Sequence, residues 1–276
     1  MDVKKRKLFN RIYKFSITFL SLLTILPLLL ILLYLFKQGV AVLNIDLLTK
    51  VSRPVGERGG ALNSMVGTLI ISTVSVLIAA PVGILSGLLI SEYAESPLAK
   101  VFEISVKLIS GIPSIVIGIV TYIWLVKPFR SYTALAGSVA LSIMILPSII
   151  TGTAETIKLI PRELKEAGLA LGSDYGNVML KIVIPIALPG IMSGLLVGFG
   201  RIVGETAPLL FTAFGNPYLN FNILKPMNTL SLLIYNYALS PYKEWHQIAW
   251  GASILLIFIV FTLNMLSRRF MKRWKM

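Results

Sequence analysis

Long apolar stretches without a charged residue constrain the fold of this chain more than any other feature of its sequence. They run for 19 to 33 residues. A helix needs about 20 mostly apolar residues to cross the hydrocarbon of a bilayer, so each stretch is long enough to span a membrane. The stretches that predict six transmembrane helices are 15–36, 59–91, 108–126, 131–154, 182–200 and 247–267.

The composition excludes most other classes of protein. Only 14% of the 276 residues are charged and 56% are hydrophobic, whereas an average soluble domain carries about 25% charged residues. With no cysteine, a disulfide-stabilised secreted scaffold is also excluded. A net charge of +14 would indicate nucleic-acid binding only if the basic residues shared one soluble face. Here they flank the apolar stretches, so membrane lipid is the expected neighbour and nucleic acid is not.

The distribution of Lys and Arg predicts the orientation. Both termini are strongly basic, and together with the loops on their side they hold 17 of the 26 basic residues, against 8 in the opposite loops. Because basic loops stay in the cytoplasm, we expect a multi-pass protein of the cell membrane with both termini cytoplasmic. The first stretch could instead be a cleaved signal peptide, but it is longer than the usual core of about 7–15 residues. A retained helix is therefore expected.

These features predict an all-α integral membrane protein with six transmembrane helices. Residues 1–61 would form an N-terminal tail, a first helix at about 15–36 and an outer loop. Residues 268–276 would form a basic cytoplasmic tail. The core at 62–267 would contain helices at about 64–91, 108–126, 131–154, 182–210 and 247–267, with a short cytoplasmic helix at about 161–172. A further helix, in the outer segment TLSLLIYNYAL, is expected to lie along the membrane surface.

The cytoplasmic connection ETIKLIPRELKEAGLALGSDYGNVMLK is the most informative loop. Pro161 suits the first position of a helix, and Gly172 suits the left-handed residue that ends one. Between them, Leu164, Ala167 and Leu171 form a narrow apolar stripe on an otherwise polar helix. The residues leave two interpretations open: a helix resting on the membrane surface, or a helix that docks in the groove of another protein.

A resemblance favours docking. The segment Glu166-Ala167-Gly168, followed by Gly172 and then, after nine intervening residues, by Ile182-Val183-Ile184-Pro185, resembles the EAA loop of type I ABC-importer permeases. Gly168 replaces the second Ala of that pattern and Ile184 replaces its Leu. The resemblance implies the type-1 permease fold and a helix that docks on a cytoplasmic ATPase. The positions that it assigns to ATPase coupling are Arg162, Glu166, Ala167, Gly172 and Pro185.

The same resemblance implies the partners of the chain. They are two copies of a cytoplasmic ATP-binding subunit, a second homologous permease subunit and an extracytoplasmic binding protein. The chain itself lacks a G-x-x-x-x-G-K-[ST] phosphate loop, and one His without any Cys offers no metal-ligand set. Ser240 and Lys243 fit S-x-x-K, but they lie in an aromatic loop and the match is interpreted as chance. We expect a non-catalytic subunit without catalytic residues, metal ligands or cofactors.

A charged pair interrupts the fifth predicted transmembrane helix, at about 182–210. Arg201 and Glu205 are four residues apart, which would place them on one helix face. An Arg inside a bilayer costs about 2.5–3.5 kcal/mol on insertion scales, and such residues usually mark transport paths. The pair could instead fix helix packing or reach the interface. Alternatively, Arg201 could bind a tetrahedral oxyanion through its fork of donors, with Glu205 positioning it and Thr206 as a further donor.

The segment GRIVGETAPLLFTAF is similar to the permeases of phosphate-specific ABC importers, of the A-type rather than the C-type. This resemblance implies inorganic phosphate as the substrate. The segment SGIPSIVIGI fits the same family and supplies Ser110 and Ser114 as path-lining hydroxyls, although small residues there could equally serve helix packing. Three further glycines recur at a spacing of four and predict a smooth ridge for a close neighbouring helix: Gly190, Gly194 and Gly198.

Two other functions remain as alternatives. A stand-alone secondary transporter or channel for an anion often contains inverted repeats or broken helices in matching halves, and the sequence displays no such symmetry. Within the permease class, another oxyanion could replace phosphate.

Overall fold

The structure is a computed structural model of the chain. It describes the backbone of residues 3–273, while the side chains of residues 3–5, 8, 266–268 and 270–273 lie outside the description. The last three residues of the basic tail predicted at 268–276, and most of its side chains, therefore fall outside the described residues. Within the described range the chain is helical, with loops and one isolated bridge between Phe214 and Met227. The predicted all-α fold class is confirmed.

The described residues form thirteen α-helices and two π-helical segments. The helices are α1 (Val3–Val40), α2 (Ile45–Thr49), α3 (Leu62–Glu92), α4 (Pro97–Gly111), α5 (Ser114–Thr121), α6 (Lys127–Phe129), α7 (Ala134–Lys158), α8 (Arg162–Ala170), α9 (Tyr175–Val178), α10 (Ile184–Val203), α11 (Ala207–Thr212), α12 (Leu230–Ala238) and α13 (Lys243–Arg273). The π-helical segments are Tyr122–Val126, before α6, and Met179–Val183, before α10.

Five described helical segments are long and apolar enough to cross a membrane. They comprise α1, α3, α7, the segment Tyr175–Val203 that includes α10, and α13. A sixth candidate is the pair formed by Pro97–Gly111 and Ser114–Phe129, which is bent by 103°. The bundle therefore contains five candidate spans, or six if the bent pair crosses as one.

The third predicted span is not one continuous helix. The sequence predicted an unbroken helix at about 108–126, but α4 ends at Gly111 and α5 begins at Ser114. Pro113 disfavours the helical conformation for the residue before it, and Ile112 is extended at φ −72° and ψ 128°. The bend follows from this proline.

The fifth predicted span also ends earlier than expected. The sequence predicted a helix at 182–210, whereas α10 stops at Val203 and α11 begins at Ala207. Pro208 lies in the first turn of α11. In a continuous helix, the N–H of residue 208 would bond to the Gly204 carbonyl, but proline has no N–H. Pro208 therefore does not continue α10, whereas the first turn of a helix accepts proline. Arg201 is therefore in the last turn of α10, and Glu205 lies beyond it.

The core is built around α7. Its residues Leu141, Ile145 and Ile149 are at most 1% exposed, and they pack in one apolar cluster with Ile71 of α3 and Ile202 of α10. The helices α3 and α10 approach α7 closely because each presents glycines to it, for example Gly87 and Gly194. This arrangement gives the bundle a central helix flanked by α3 and α10.

The outer segment predicted to lie along the membrane surface is instead buried in the protein. It forms α12, in which Leu230, Leu232 and Leu233 are fully buried. The hydroxyl of Thr68 on α3 accepts a hydrogen bond from the Leu230 N–H at 2.8 Å. Thr229 caps the helix by accepting from the Leu232 N–H. Three buried leucines within four residues favour packing against α3 and α13 over a position on lipid.

The first helix is peripheral. Its apolar window contains no buried residue in this chain, and it packs mainly on α13. The Tyr34 and Trp250 rings meet edge to face at 5.4 Å. At Gly39, an added Cβ would lie 2.7 Å from the Trp250 carbonyl oxygen. The contact between α1 and α13 is thus concentrated at the C-terminal end of α1.

Candidate functional site: a projecting helix and a charged helix break

The short helix α8 projects from the bundle between α7 and the π-helical segment. The sequence predicted Pro161 as the first residue of this helix, whereas in the structure the helix begins one residue later, at Arg162. Gly172 follows the helix in the left-handed conformation at φ +81°. Asp174 then caps α9 by accepting a hydrogen bond from the Asn177 N–H at 3.0 Å. This hydrogen bond and a second one from the Asn177 side-chain amide keep the pKa of the Asp174 carboxyl below its usual value. The cap remains charged throughout the neutral range.

The outer face of α8 presents polar and apolar groups together. Leu171, which follows its last turn, is 89% exposed, and the side chains that the resemblance assigns to ATPase coupling on this helix are exposed as well: Arg162, Glu166 and Ala167. An exposed apolar stripe beside charged residues suits binding to another protein better than solvation alone.

The opposite face of α8 is fastened to the bundle. Gly168 is buried, and a Cβ added there would lie 2.9 Å from Val178 Cγ2 and 3.0 Å from Ile182 Cδ1. A side chain at this position would push α8 away from the π-helical segment. The small residue at the third position of the EAA pattern therefore has a packing reason, which the sequence comparison alone did not supply.

Three residues that sequence reasoning missed also hold α8. Lys165 pairs with Glu92 at the end of α3, and the Tyr175 hydroxyl donates to the other oxygen of Glu92 at 2.7 Å. The partners lie 73 and 83 residues apart. No local spacing pattern could have linked them.

The charged pair lies at the break between α10 and α11. Arg201 Nε and Glu205 Oε1 are 4.0 Å apart, and the two side chains are 48% and 21% exposed. This distance permits an ion pair but is too long for a hydrogen bond. Glu205 therefore attracts the guanidinium by charge while leaving its N–H donors available. The prediction that the two side chains share one helix face is wrong, because α10 ends between the two residues. The two side chains nevertheless lie close together.

Neighbouring elements fix the backbone at this break. The Ser231 hydroxyl of α12 donates to the Glu205 carbonyl at 2.8 Å. The Thr206 carbonyl accepts from the N–H groups of Leu209 and Leu210, while its side chain makes no capping bond to α11. Thr206 is half-buried and directly follows Glu205 in the chain. The arrangement holds Glu205 and Thr206 in place without occupying the Arg201 side chain.

The two serines predicted to line a path flank the bend between α4 and α5. The Ser110 hydroxyl donates to the Val106 carbonyl of its own helix at 2.9 Å, and Ser114 is the first residue of α5. One turn later, Gly118 lies so close to Pro208 that an added Cβ would be 2.6 Å from the Pro208 Cα. The structure thus brings α5 against α11, and Ser114 lies nearer to that contact along the chain than Ser110.

An open cavity of about 670 Å³ separates α10 from α13 next to the break. Gly200 and Gly204 lie on one side and Asn264 on the other. The Asn264 amide donates to the Val260 carbonyl at 2.9 Å. Sequence reasoning did not select this residue, although an Asn within an apolar span is itself a signal of function.

The three glycines predicted to form a ridge all face α7. Added Cβ atoms at Gly190, Gly194 and Gly198 would meet Thr156, Ser148 and Ile145 at 2.0, 2.9 and 2.3 Å. Pro185 lies in the first turn of α10, directly after the π-helical segment. Among the described residues, no group of three His, Cys, Asp or Glu side chains could hold a metal ion.

An all-helical bundle with five or six candidate spans, a cation at a helix break and a projecting helix defines a class: a multi-pass membrane component of a transporter. The sequence identifies the family within that class. Residues 79–275 match the family described as binding-protein-dependent transport system inner membrane component, and the chain belongs to this family. The prediction of a non-catalytic membrane subunit is thereby confirmed.

Two curated relatives cover most of the chain. The phosphate transport system permease protein PstA of Pasteurella multocida (strain Pm70) is 37% identical over 241 residues, which are 87% of this chain and 86% of that protein. The probable phosphate transport system permease protein PstA of Methanocaldococcus jannaschii is 34% identical over 256 residues, with 92% and 90% covered. The predicted resemblance to phosphate ABC permeases of the A-type is confirmed by these relatives.

Solved structures support the fold. A chain of the alginate ABC transporter, in complex with an alginate pentasaccharide-bound periplasmic protein, matches with a TM-score of 0.64 at 19% identity, covering 96% of this chain and 99% of that one. An inward-facing structure of the MetNI methionine ABC transporter matches with a TM-score of 0.63 at 20% identity, covering 79% and 95%.

Proposed function

We propose that this chain is the permease subunit of an ATP-driven importer of inorganic phosphate. It forms half of the translocation path in the cell membrane, with both termini in the cytoplasm. A second homologous permease forms the other half, two copies of a cytoplasmic ATPase drive the cycle, and an extracytoplasmic phosphate-binding protein delivers the substrate. The names of the curated relatives support phosphate over another oxyanion.

The observation that carries the proposal is the accessible guanidinium of Arg201 at the end of α10. A guanidinium recognises a tetrahedral oxyanion through paired N–H donors. Glu205 lies close enough to orient it but too far to take a hydrogen bond. Thr206 adds a hydroxyl beside them, and Ser110 and Ser114 line the path at the bend between α4 and α5.

Coupling to the ATPase is assigned to α8. ATP binding closes the ATPase dimer, and α8 moves with the groove that holds it. Arg162, Glu166 and Ala167 face the partner, while Gly172 ends the helix. Pro185 follows the π-helical segment through which the motion enters α10.

Affinity purification from mild detergent tests this assignment. We expect the tagged chain to copurify with a Walker-type ATPase and a second permease, and the complex in liposomes to import phosphate only with ATP. Glu166→Lys should abolish ATPase retention and uptake, because it reverses a charge on the docking face. Glu95→Lys, which reverses an exposed charge in the loop between α3 and α4, is the matched control and should retain both.

Two results would contradict the proposal. A chain that purifies alone and moves phosphate without ATP is a secondary transporter or channel. An assembled complex that imports sulfate but not phosphate is a permease for another oxyanion.

A further inference from the structure

Glu92, at the C-terminal end of α3, is held by two other elements at once. One carboxylate oxygen pairs with the Lys165 ammonium of α8. The other accepts a hydrogen bond from the Tyr175 hydroxyl, at the first residue of α9, at 2.7 Å. The Glu92 and Lys165 side chains are only 13% and 17% exposed. A carboxylate with both oxygens occupied fixes the position of each partner.

This pair differs from the other ion pairs of the described residues. Those pairs join side chains four positions apart, and in each of them at least one side chain is 41% exposed or more. Exposed pairs of that kind contribute little, typically about 0.2–1 kcal/mol. The pair between Glu92 and Lys165 is more buried and connects separate helices, so its loss has a larger effect.

The geometry of α8 places Lys165 on the face of the helix that is turned toward the bundle. Consecutive residues of a helix are rotated by about 100°, and accordingly Lys165 turns toward the bundle while Glu166 is exposed. Gly168, three residues after Lys165, is buried on the same side. The inward face of α8 is thus held at two points, and the outward face carries the docking residues.

The partner helix α3 is well placed to pass on a displacement. It packs closely along α7, since a Cβ added to Gly87 would lie 2.6 Å from the Thr153 Cβ. Gly87 is five residues before Glu92. A movement of α8 that pulls on Glu92 therefore acts on α3 directly beside its tight contact with the central helix.

We propose that Glu92 is a positioning residue that fastens the coupling helix α8 to α3 through Lys165 and Tyr175, so that displacement of α8 moves α3 and α7 as well as α10. The α10 route follows the chain, whereas this route crosses to an element 73 residues away. The inference rests on the proposed function for its purpose, but the attachment itself can be tested on the chain alone.

The attachment is tested by amide hydrogen exchange of residues 162–170 in the purified chain in detergent. Glu92→Gln and Lys165→Met should each accelerate exchange by about tenfold, because local opening of α8 becomes easier. The exchanged pair, Glu92→Lys with Lys165→Glu, should restore slow exchange. Glu95→Gln and Lys181→Met, which remove charges from exposed side chains nearby, are the controls and should leave exchange unchanged.

Unaltered exchange in both single variants would overturn the attachment. So would single variants whose loosening the exchanged pair does not repair, since the effect would then not arise from the ion pair. Should Glu92→Gln fail to fold, Tyr175→Phe removes only the hydroxyl and should produce a smaller acceleration. Exchange in that variant equal to wild type would remove Tyr175 from the attachment and contradict the proposal.

The transmission role is tested in the assembled complex by the phosphate imported per ATP hydrolysed. Glu92→Gln should retain the ATPase and its hydrolysis while this ratio falls several-fold, and the exchanged pair should recover it. An unchanged ratio despite a loosened α8 would overturn the role. If the wild-type complex imports no phosphate, the proposed function has failed, while the exchange result still decides the attachment.

Discussion

A guanidinium on an apolar helix is stable only where water, a counterion or an anion reaches it. Arg201 meets this condition at the end of α10, where the helix break leaves it about half exposed with Glu205 nearby. We therefore propose that the break itself is part of the site. A continuous helix would carry both charges on one hydrogen-bonded face, and Glu205 could then occupy the donors that a substrate needs.

Replacement of Arg201 tests this interpretation at the level of one side chain. Arg201→Gln should abolish phosphate uptake while the complex still assembles, because the charge and the paired donors are lost. Arg201→Lys keeps the charge without the fork and should retain a small fraction of uptake. The measurement is ATP-driven uptake in liposomes, with Lys243→Gln, an exposed lysine at the start of α13, as the control. Normal uptake by Arg201→Gln would return Arg201 to a packing role.

Single residues differ in how well the sequence predicted them. Arg201 and Glu205 stood out because charges are rare in an apolar stretch. Glu92, Lys165 and Tyr175 lie in polar segments where charges are common, and only the tertiary fold brings them together. A rare residue in its local context can be found from the sequence, whereas a common residue with a distant partner cannot.

At the scale of elements, close helix packing rests on small residues. The α10 ridge approaches the α7 backbone, and at Gly194 an added Cβ would lie 2.9 Å from the Ser148 carbonyl oxygen and 3.3 Å from the Gly152 Cα. Backbone atoms cannot rotate away as a side chain can. Small residues at such contacts allow the dispersion and packing interactions that hold helices together in lipid.

Gly194→Ala should therefore destabilise the bundle by about 1–3 kcal/mol, the usual effect of overpacking. Gly204→Ala is the matched control, because no atom lies within 4 Å of its added Cβ and its backbone is right-handed. Thermal unfolding in detergent measures the difference. Equal midpoints for the two variants would show that α10 and α7 separate easily at this contact.

The elements were predicted well where hydrophobic length decides and poorly where a single residue interrupts. The apolar stretches predicted the bounds of α3, α7 and α13 to within about six residues at each end. The sequence did not predict that helices end at Ile112 and Gly204, because proline is tolerated in many membrane helices. Pro147 within α7 is an example. Whether a proline bends, ends or simply continues a helix depends on the neighbours that satisfy the freed backbone groups.

At the scale of the whole molecule, the charge bias predicts a fixed orientation. The exposed end of α8 at Leu171 and the exposed loop residue Tyr218 should face opposite sides of the membrane. The chain has no cysteine, so a single introduced thiol reports its own location without background.

Labelling of intact cells with a membrane-impermeant maleimide tests the orientation. Tyr218→Cys should react from outside, and Leu171→Cys should react only after permeabilisation, because the charge bias predicts that Leu171 is on the cytoplasmic side. Leu209→Cys, at a position that is 1% exposed, is the buried control. Labelling of Leu171→Cys in intact cells would invert the proposed topology.

The pairing of α1 with α13 has a consequence for how the chain is made. The α1 helix is synthesised before α13, on which it mainly packs, so α1 is present in the bilayer during the synthesis of roughly 200 residues before this neighbour is made. Its apolar window has a mean hydropathy of 2.7, and a helix of this kind satisfies its backbone groups internally and is stable in lipid alone. A nascent chain cut short before α13 would leave α1 without this neighbour, and the unpaired helix would be a mark by which quality control could recognise an unfinished subunit.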